Sequence, residues 1–339
     1  MATKKRTLDG YFKSSQVKDS PAILVVANDK PQKPSIAFES TLSSTHSTCP
    51  FPIPQLPSSL SSKFSSLLPP NGKNITDAYA LNCLSFAPLF PHYLAQELFT
   101  FLRDELPFYK VRYTIARSGI DTRVITPRYT SVFGIDSTSL FSPSSQTVIS
   151  AQTSKPYNSK AYKCFPRPIP QCMLPLLDLI QRATNETYNF ILINYYADGR
   201  DSISYHSDDE RFLGPDPTIA SLSLGATRDF YLKRKPELLP KGTKADIHKM
   251  PLASGDMVLM RGKTQTEYLH SIPKRSTNLK AGLEKETGRI NVTFRKAISK
   301  GGTENYYRYN TGRGTESEGE IWKWDGPQGQ MVRWEKDRK

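Results

Sequence analysis

The sequence predicts an α+β fold, in which an antiparallel β-sandwich or barrel is backed by helices. Two segments, PHYLAQELFTFLRDEL and PQCMLPLLDLIQRATN, carry apolar residues at the spacing of amphipathic helices. After the second helix, segments rich in β-branched and aromatic residues follow one another with no helical pattern between them. Strands in such a succession pair antiparallel, and the helices then cover one side of the sheet. The strand segments are NFILINYY, TIASLSLGATRDFYLKR, DIHKMPL, GDMVLMR and RINVTFRKAI.

Composition divides the 339-residue chain into three parts. Between Thr41 and Pro70, 9 Ser and 6 Pro fill half of the 30 positions, so little apolar surface is available for burial. Residues 1–73 are therefore predicted to form a mainly disordered arm. Residues 74–300 hold the helix and strand patterns and form the predicted folded domain. Residues 301–339 are a C-terminal extension whose aromatic segments, ENYYRYN and IWKW, predict docking on the core.

The charge balance points to a polyanionic partner. The chain has 46 Lys and Arg against 32 Asp and Glu, a net charge of +14. Nucleic acid is the first candidate, although a merely soluble basic protein would show the same balance. Four cysteines without a CxxC spacing indicate neither a disulfide framework nor a zinc cluster, which fits a reducing compartment. No apolar run reaches the roughly 18 residues of a membrane span, so we expect a soluble intracellular protein without a membrane partner.

The strand RINVTFR has one polar and one apolar face, because side chains two residues apart lie on the same side. Two guanidinium groups inside a barrel are costly unless an anion neutralises them, and a dicarboxylate ligand would do so. An edge strand with a solvated polar face is the alternative. Asn194 and Tyr196 end another, otherwise apolar strand, where they either hold a ligand or mark the emergence of the strand into solvent. The polar face of RINVTFR consists of Arg289, Asn291, Thr293 and Arg295.

The segment SYHSDDE carries a pair of metal-ligand residues. His206 and Asp208 are two residues apart, so an extended backbone projects an imidazole and a carboxylate to the same side. A later histidine would complete a facial triad of two histidines and one carboxylate, which leaves open coordination positions and suits Fe(II) oxygenases. The two candidates are His248 and His270. A surface His–Asp pair is the commoner origin of this spacing.

Taken in order, these motifs resemble the AlkB family of iron- and 2-oxoglutarate-dependent dioxygenases, which repair alkylated nucleobases. The resemblance covers roughly residues 110–297 and is strongest to the eukaryotic branch that acts on double-stranded DNA. It implies a double-stranded β-helix (jelly-roll) core with flanking N-terminal helices. The matching segments are PRYTSVFG at 127–134, NYY at 194–196, HSDDE at 206–210, SLSLGATRDF at 221–230, LHSIP at 269–273 and RINVTFR at 289–295.

The resemblance implies a cofactor and its ligands. Fe(II) would be held by His206, Asp208 and His270, so His270 is favoured over His248. 2-Oxoglutarate and O2 would be the cosubstrates. The implied 2-oxoglutarate pocket consists of Asn194, Tyr196, Arg289, Asn291, Thr293 and Arg295.

The resemblance also implies residues that contact the substrate. Asp209 and Glu210 would lie at the rim of the metal site and accept hydrogen bonds from the amine of a flipped base. The segment between Gly134 and Pro166 is longer and richer in Ser and Thr than the family pattern, which affects the alignment of the ring that stacks on the base. Further candidates are Arg128 for a DNA or lid contact, Tyr162, preferred to Tyr157, for the stacking ring, and Ile120 for the wedge that fills the gap in the duplex.

The implied activity is oxidative demethylation of N-alkylated bases in DNA, such as 1-methyladenine and 3-methylcytosine, with release of formaldehyde and succinate. The same chemistry on RNA or single strands is the nearest alternative, and a non-catalytic nucleic-acid-binding module is a second. The intact set of His206, Asp208 and His270 argues against the non-catalytic module. We expect a monomer that binds duplex DNA with one alkylated base flipped out.

The N-terminal stretch KRTLDGYF, residues 5–12, carries three apolar residues that fall on one face of a single helical turn, Leu8, Tyr11 and Phe12. It resembles the box that binds the sliding clamp PCNA, with Lys5 in the position of the usual glutamine. A chance match in a disordered arm would look the same. Together with KKR at residues 4–6 and a duplex-repair activity, the box predicts a nuclear protein that is tethered to the clamp.

Overall fold

The computed structural model describes residues 43–117, 120–158, 161–275, 288–310 and 320–335, with the backbone alone described at Ile115, Arg117 and Ile120. The helices are α1 (Ser58–Ser66), α2 (His92–Glu105), α3 (Leu174–Thr184), α4 (Thr264–Glu267) and α5 (Glu304–Tyr307). The first ten strands are β1 (Ser43–Ser44), β2 (Ile53–Pro54), β3 (Lys73–Thr76), β4 (Asn82–Phe86), β5 (Phe108–Lys110), β6 (Arg112–Arg117), β7 (Ile120–Ile125), β8 (Tyr129–Gly134), β9 (Ser139–Phe141) and β10 (Val148–Ser150). The remaining strands are β11 (Phe190–Tyr196), β12 (Ile203–His206), β13 (Ile219–Gly225), β14 (Arg228–Arg234), β15 (Ile247–Leu252), β16 (Met257–Met260), β17 (Tyr268–Ile272), β18 (Arg289–Arg295), β19 (Glu320–Asp325) and β20 (Gln330–Arg333).

Two antiparallel sheets dominate the described part of the chain. The large sheet has ten strands in the order β20-β19-β5-β8-β11-β18-β13-β16-β4-β3, and the small sheet has four in the order β12-β17-β14-β15. Three two-stranded ribbons, β1-β2, β6-β7 and β9-β10, complete the strand pairs. The predicted α+β class with antiparallel pairing is thus confirmed. β18 lies near the middle of the large sheet, between β11 and β13.

Helices cover one face of the large sheet. Leu98 and Phe99 of α2 and Leu179 of α3 belong to the same buried cluster as Ile290 and Val292 of β18. Burial of this apolar surface is the main favourable contribution to folding. Because side chains alternate along a strand, the polar face of β18 must point away from the helices.

The small sheet packs on the other face of the large sheet. Leu192 and Tyr196 of β11 share a second buried cluster with Phe230 and Leu232 of β14 and Ile272 of β17. The polar face of β18 is on the same side as Leu192 and Tyr196, because β11 and β18 are paired in register. The polar face of β18, which was expected to bind a ligand, therefore lies between the two sheets.

Both predicted helices are present. Helix α2 begins after Pro91, which precedes the first turn as its N-cap, and ends before Leu106. Its residues Leu94, Leu98 and Leu102, at intervals of four, are all buried. Helix α3 ends at Asn185, whose left-handed backbone (φ 54) terminates the helix.

Residues 43–73 depart from the predicted disordered arm. Leu60 and Phe64 on α1 are buried, and Arg182 of α3 donates hydrogen bonds to the carbonyls of Leu67 (2.6 Å) and Phe64 (3.2 Å). The prediction of disorder followed from the Ser- and Pro-rich composition and overlooked Leu60 and Phe64. These two apolar residues are four apart, so they lie on one face of α1 and give it a buried stripe. Residues 1–42 lie outside the described residues, and with them the stretch 5–12 and its Leu8, Tyr11 and Phe12.

The C-terminal extension docks on the core where the structure describes it, as its aromatic residues predicted. β19 adds to the large sheet beside β5, with Ile321 opposite Tyr109. Tyr307 of α5 is fully buried, and its hydroxyl donates to the carbonyl of Gly134 at 2.6 Å. None of the four cysteines, which all lie within the described ranges, forms a disulfide. Across the described ranges, none of the helices combines the length and the apolar character that crossing a membrane would require.

Candidate active site

His206, Asp208 and His270 form one buried cluster in the small sheet. β12 pairs with β17 so that His206 lies opposite His270, and Asp208 follows the end of β12. The three residues are 9%, 3% and 7% exposed, and one ligand atom from each lies within 4.8 Å of the other two. The fold therefore brings together the His–Asp pair and the later histidine.

The donor set of this cluster fits a metal such as Fe(II). Nε2 of His206 is 4.0 Å from Oδ1 of Asp208, and Nε2 of His270 is 3.8 Å from Oδ2. Facial ligand atoms at about 2.1 Å from one ion are about 3.0 Å apart, so small side-chain movements on metal binding would bring these atoms to that spacing. Nδ1 of His206 donates to the carbonyl of Ser204 at 2.9 Å, which leaves Nε2 free to bind the ion. Two imidazoles and one carboxylate are the donor set of a facial triad, which leaves coordination positions open and suits Fe(II).

The electrostatics of the cluster keep its three residues ready for a cation. Burial lowers the pKa of His206 and lowers that of His270 to about 3, with His206 adding to the second shift. Burial alone would raise the pKa of Asp208, but opposing charges, that of Arg295 first among them, outweigh it, and the net pKa is lowered. Nη2 of Arg295 donates to Oδ2 of Asp208 at 3.0 Å. Neutral imidazoles and an ionised carboxylate are the forms that bind metals.

His248 belongs to a different cluster. It lies on β15, at the opposite edge of the small sheet from β12. Its Nε2 is 3.5 Å from Oδ2 of Asp77, a carboxylate that also accepts a hydrogen bond from the hydroxyl of Tyr268. Of the two histidines that the spacing left open, His270 is the one beside His206.

The polar face of β18 is buried and joined to the metal cluster. β18 has a strand on each side, so the alternative of a solvated edge strand is wrong. Arg295, at the end of β18, contacts Asp208 directly. The exposed fractions are 1% for Arg289, 8% for Asn291, 5% for Thr293 and 2% for Arg295.

Arg289 is a buried cation with unmet hydrogen-bonding capacity. Its Nη2 donates to Oγ of Ser223 at 2.8 Å, and its guanidinium lies 5.4 Å from the ring centre of Tyr196. Its Nε and Nη1 are buried without a partner. Burial lowers the pKa of Arg289 to about 10, which still leaves it charged at pH 7. A buried cation with unpaired donors is costly, and a carboxylate would neutralise and pair it.

The other residues of the expected 2-oxoglutarate pocket lie around Arg289 and bond within the protein. The strand register places Asn194 opposite Asn291, and Tyr196 opposite Arg289. Nδ2 of Asn291 donates to Oγ of Ser221 and to the carbonyl of Leu222, both at 2.9 Å. Oγ1 of Thr293 donates to the carbonyl of Leu192 at 2.9 Å. Ser221 and Ser223 were missed as neighbours of the pocket, although their alternation in SLSLG signals a polar strand face.

Arg128 lies inside the site, whereas the resemblance suggested a DNA or lid contact. It is 7% exposed, and its Nε donates to Oδ1 of Asn194 at 3.2 Å. Its Nη1 is buried without a partner. The structure thus turns this arginine inward, because Asn194 offers the acceptor that a buried guanidinium needs.

The two acidic residues after Asp208 have different environments. Asp209 is about half exposed and pairs with Nζ of Lys235 at 3.0 Å. Glu210 accepts a hydrogen bond from the hydroxyl of Tyr306, while its Oε2 is buried without a partner. Burial, with Asp208 second, raises the pKa of Glu210. Oε2 of Glu210 is therefore an unpaired hydrogen-bond acceptor near the metal ligands.

Tyr162 is packed in the interior. It is 5% exposed, and its hydroxyl lies between Oδ2 of Asp136, at 2.8 Å, and Oγ of Ser139. The ring of Tyr157 meets it edge-on at 6.0 Å. This environment gives Tyr162 a packing role, and its assignment to base stacking stays a prediction. Ile120 begins β7 in the β6-β7 hairpin, and its side chain lies outside the described part of the structure.

Comparison with known proteins identifies relatives of this site. Residues 88–295 match the family described as "2OG-Fe(II) oxygenase superfamily", a range that includes the His–Asp–His cluster and β18. The chain is 41% identical over 118 residues to the mouse "Alpha-ketoglutarate-dependent dioxygenase alkB homolog 3", covering 34% of this chain and 39% of that protein. It is 38% identical over 134 residues to the human "DNA oxidative demethylase ALKBH2" (38% and 49% covered) and 34% identical over 140 residues to the Arabidopsis thaliana protein of that name (36% and 42% covered). The chain thus spans less than half the length of these relatives.

Proposed function

This AlkB-like chain belongs to the 2OG-Fe(II) oxygenase superfamily, and on that premise we propose that it oxidatively demethylates N-alkylated bases in DNA. The proposed substrates are 1-methyladenine and 3-methylcytosine, and the products are the repaired base, formaldehyde, succinate and carbon dioxide. One observation carries the proposal: a buried His–Asp–His cluster is joined through Arg295 to a strand face on which Arg289 keeps two unpaired donors. The name of the human relative, a DNA oxidative demethylase, supports the substrate class.

The arrangement of the two sheets supports a double-stranded β-helix as the core fold. Both sheets are antiparallel, and they enclose the apolar cluster to which Leu192 and Phe230 belong. In this fold the ligand lies between the sheets, which agrees with the position of Arg289. The large sheet has additional strands at both ends, contributed by residues 73–86 and 320–333.

The roles of the residues follow from their contacts. When bound, Fe(II) and 2-oxoglutarate supply, with O2, the oxidising chemistry that hydroxylates an N-methyl carbon, which then leaves as formaldehyde. His206, Asp208 and His270 would hold the iron, and Arg289 would pair with the distal carboxylate of 2-oxoglutarate. Arg295 keeps Asp208 ionised by a direct hydrogen bond. Burial of all these groups excludes water and strengthens their electrostatic interactions with a charged ligand.

Recognition of the base and of the nucleic acid rests on different groups. Oε2 of Glu210 would accept a hydrogen bond from the amine of the methylated base. A base inside a duplex cannot reach a buried site, so it must be flipped out, and methylation of its pairing edge lowers the cost. The surplus of 46 basic over 32 acidic residues would supply attraction to the phosphates.

Formaldehyde release tests the proposal. A duplex with one 1-methyladenine is incubated with the full chain, Fe(II) and 2-oxoglutarate, and His206→Ala serves as the matched variant. We expect formaldehyde and the repaired base from the unchanged protein alone. No product, or equal product from both proteins, rejects the proposal. The assay is repeated with the same base in single-stranded DNA and in RNA. Turnover confined to RNA or to single strands would favour the alternative that this chain demethylates those nucleic acids instead of duplex DNA.

We also propose a nuclear protein that acts as a monomer and is tethered to the sliding clamp PCNA through residues 5–12. The support is the spacing of Leu8, Tyr11 and Phe12 and the basic KKR beside them. Pull-down of the full chain by the clamp should be lost when Tyr11 and Phe12 are changed to Ala. Changing Leu24 and Val25 to Ala is the matched control, because it removes two apolar side chains of the same arm outside residues 5–12 and should leave pull-down intact. Unchanged pull-down of the Tyr11 and Phe12 variant rejects the tether.

A further inference from the structure

A tyrosine from the C-terminal extension reaches the candidate active site. Tyr306 lies on the short helix α5, beyond the end of the segment that matches the oxygenase family. Nη1 of Arg295 donates to its hydroxyl oxygen at 2.8 Å, and the same hydroxyl donates to Oε1 of Glu210. The extension thus contributes a side chain that contacts two residues of the site.

These contacts form one continuous chain of hydrogen bonds between a metal ligand and a residue expected to contact the base. It runs from Asp208 through Arg295 and Tyr306 to Glu210. Two polar atoms along it have no partner: Nε of Arg295, a donor, and Oε2 of Glu210, an acceptor. Each is therefore available to a ligand, and a ligand that binds there would not need to displace any protein contact.

The hydroxyl of Tyr306 keeps two opposite charges apart. Arg295 and Glu210 would attract each other directly without a group between them, and a direct ion pair in this buried region would use the free atoms of both. The hydroxyl satisfies one atom of each and fixes the direction in which the others point. A phenylalanine at this position could do neither.

We propose that Tyr306 is a positioning residue, whose hydroxyl holds Arg295 and Glu210 apart so that Arg295 can bind a carboxylate of 2-oxoglutarate and Glu210 can bind the methylated base. The base-binding half of this inference rests on the proposed function. The cosubstrate half rests only on the membership of the oxygenase superfamily.

The ring of Tyr306 is held independently of its hydroxyl. It meets Phe190 at 5.3 Å and Phe212 at 6.0 Å, in both cases edge to face. The backbone N–H of Ile298 donates to the carbonyl of Phe212 at 2.7 Å, which fixes the chain just before residues 301–339. Tyr306→Phe therefore removes the hydroxyl and keeps the packing. The matched control is Tyr307→Phe, which removes a neighbouring buried hydroxyl that bonds to the carbonyl of Gly134.

The test measures the dissociation constant of 2-oxoglutarate by calorimetry on the full chain loaded with Mn(II), together with the melting temperature. We expect Tyr306→Phe to raise the dissociation constant about tenfold, since a hydrogen bond to a charged group contributes on that scale. Tyr307→Phe should leave the dissociation constant within about twofold of the unchanged chain. Its loss of melting temperature should be at least as large as that of Tyr306→Phe. An unchanged dissociation constant in Tyr306→Phe, or an equal rise in both variants, overturns the inference.

The outcome is separable from that of the proposed function, because 2-oxoglutarate binding is measured without nucleic acid. If the protein turns over no methylated nucleic acid but Tyr306→Phe weakens 2-oxoglutarate binding, the proposed substrate fails and the positioning role stands. If the protein demethylates DNA and Tyr306→Phe binds 2-oxoglutarate as tightly as the unchanged chain, the positioning role fails and the proposed function stands.

Discussion

His206 and His270 face each other across two paired strands, with their ring centroids 4.2 Å apart. The candidate metal site exists because β12 and β17 pair in this register. A slip of one residue would turn one imidazole to the opposite face of the sheet, since side chains alternate along a strand. The site therefore depends on strand pairing as much as on the identity of its ligands.

Replacement of His270 should abolish metal binding, whereas replacement of His248 should not. We expect His270→Ala to weaken Mn(II) binding at least about 100-fold. Removal of a residue that only hydrogen-bonds to a metal ligand costs about 10- to 100-fold in affinity, and removal of the ligand itself should cost more. His248→Ala is the control, since His248 lies at the opposite edge of the small sheet from β12 and contacts Asp77. Titration of Mn(II) followed by electron paramagnetic resonance measures both. Equal weakening by the two variants would contradict the assignment.

Replacement of Arg289 should remove 2-oxoglutarate binding. We expect Arg289→Met to raise the dissociation constant of 2-oxoglutarate about 100-fold or more, because the carboxylate would be buried without its cation. Ser223→Ala removes one hydrogen bond to Arg289 and should cost about tenfold or less. Calorimetry on the Mn(II)-loaded chain measures both. An Arg289→Met variant that binds 2-oxoglutarate normally would show that the free donors of Arg289 serve another purpose.

The polar strand face was predictable because alternation is a local property of the chain. Arg289, Asn291 and the two residues that follow at the same spacing needed only an extended backbone to share one side. The burial of that side was not predictable in this way, because it depends on the strands β11 and β13 on either side of β18. The pair of His206 and Asp208 was predictable from the same alternation. The choice between His248 and His270 was not, because it depends on which strand lies beside β12.

Other features depend on contacts between distant parts of the chain. The docking of α1 rests on Leu60 and Phe64, an apolar pair that is too sparse to outweigh a Ser-rich composition in a sequence pattern. Tyr306 carried no signal beyond the aromatic character of ENYYRYN. Its contact with Arg295 requires the extension to fold back onto the sheet, which no local pattern specifies.

The buried thiol of Cys83 should make stability fall at alkaline pH. Burial raises its pKa from 9.0 to about 12, so in the folded protein the thiol keeps a proton that the unfolded chain loses. Its contribution is fully present below pH 9 and is lost as pH rises towards 12, at about 1.4 kcal/mol per pH unit.

Urea unfolding at pH 8, 10 and 11 measures the effect of Cys83. The pKa values of other buried groups, Cys172 among them, are also raised, so these groups too make stability fall at alkaline pH. The effect of Cys83 is therefore obtained by comparing the unchanged chain with Cys83→Ala. The lost packing in Cys83→Ala lowers stability at every pH and cancels from the slope. We expect the variant to lose stability less steeply above pH 9, and identical slopes would contradict the prediction.

Insertion of one methyl group at Gly302 should loosen the C-terminal segment and weaken the site together. A Cβ atom at Gly302 would lie 2.0 Å from Cβ of Phe212, so the segment that carries Tyr306 must move. Overpacking of this kind costs about 1–3 kcal/mol, and a displaced Tyr306 would release Arg295 and Glu210. Gly302→Ala should therefore lower the free energy of unfolding and also raise the dissociation constant of 2-oxoglutarate.

Gly326→Ala is the matched control, because a Cβ atom there would meet nothing within 4 Å. It should change the free energy of unfolding by no more than about 0.5 kcal/mol and leave 2-oxoglutarate binding unchanged. Chemical denaturation and calorimetry on the same protein preparations give both quantities. If Gly302→Ala destabilises the fold but binds 2-oxoglutarate normally, the extension stabilises the protein without positioning Arg295. If both binding and stability change, the position of α5 and the binding of 2-oxoglutarate are physically coupled.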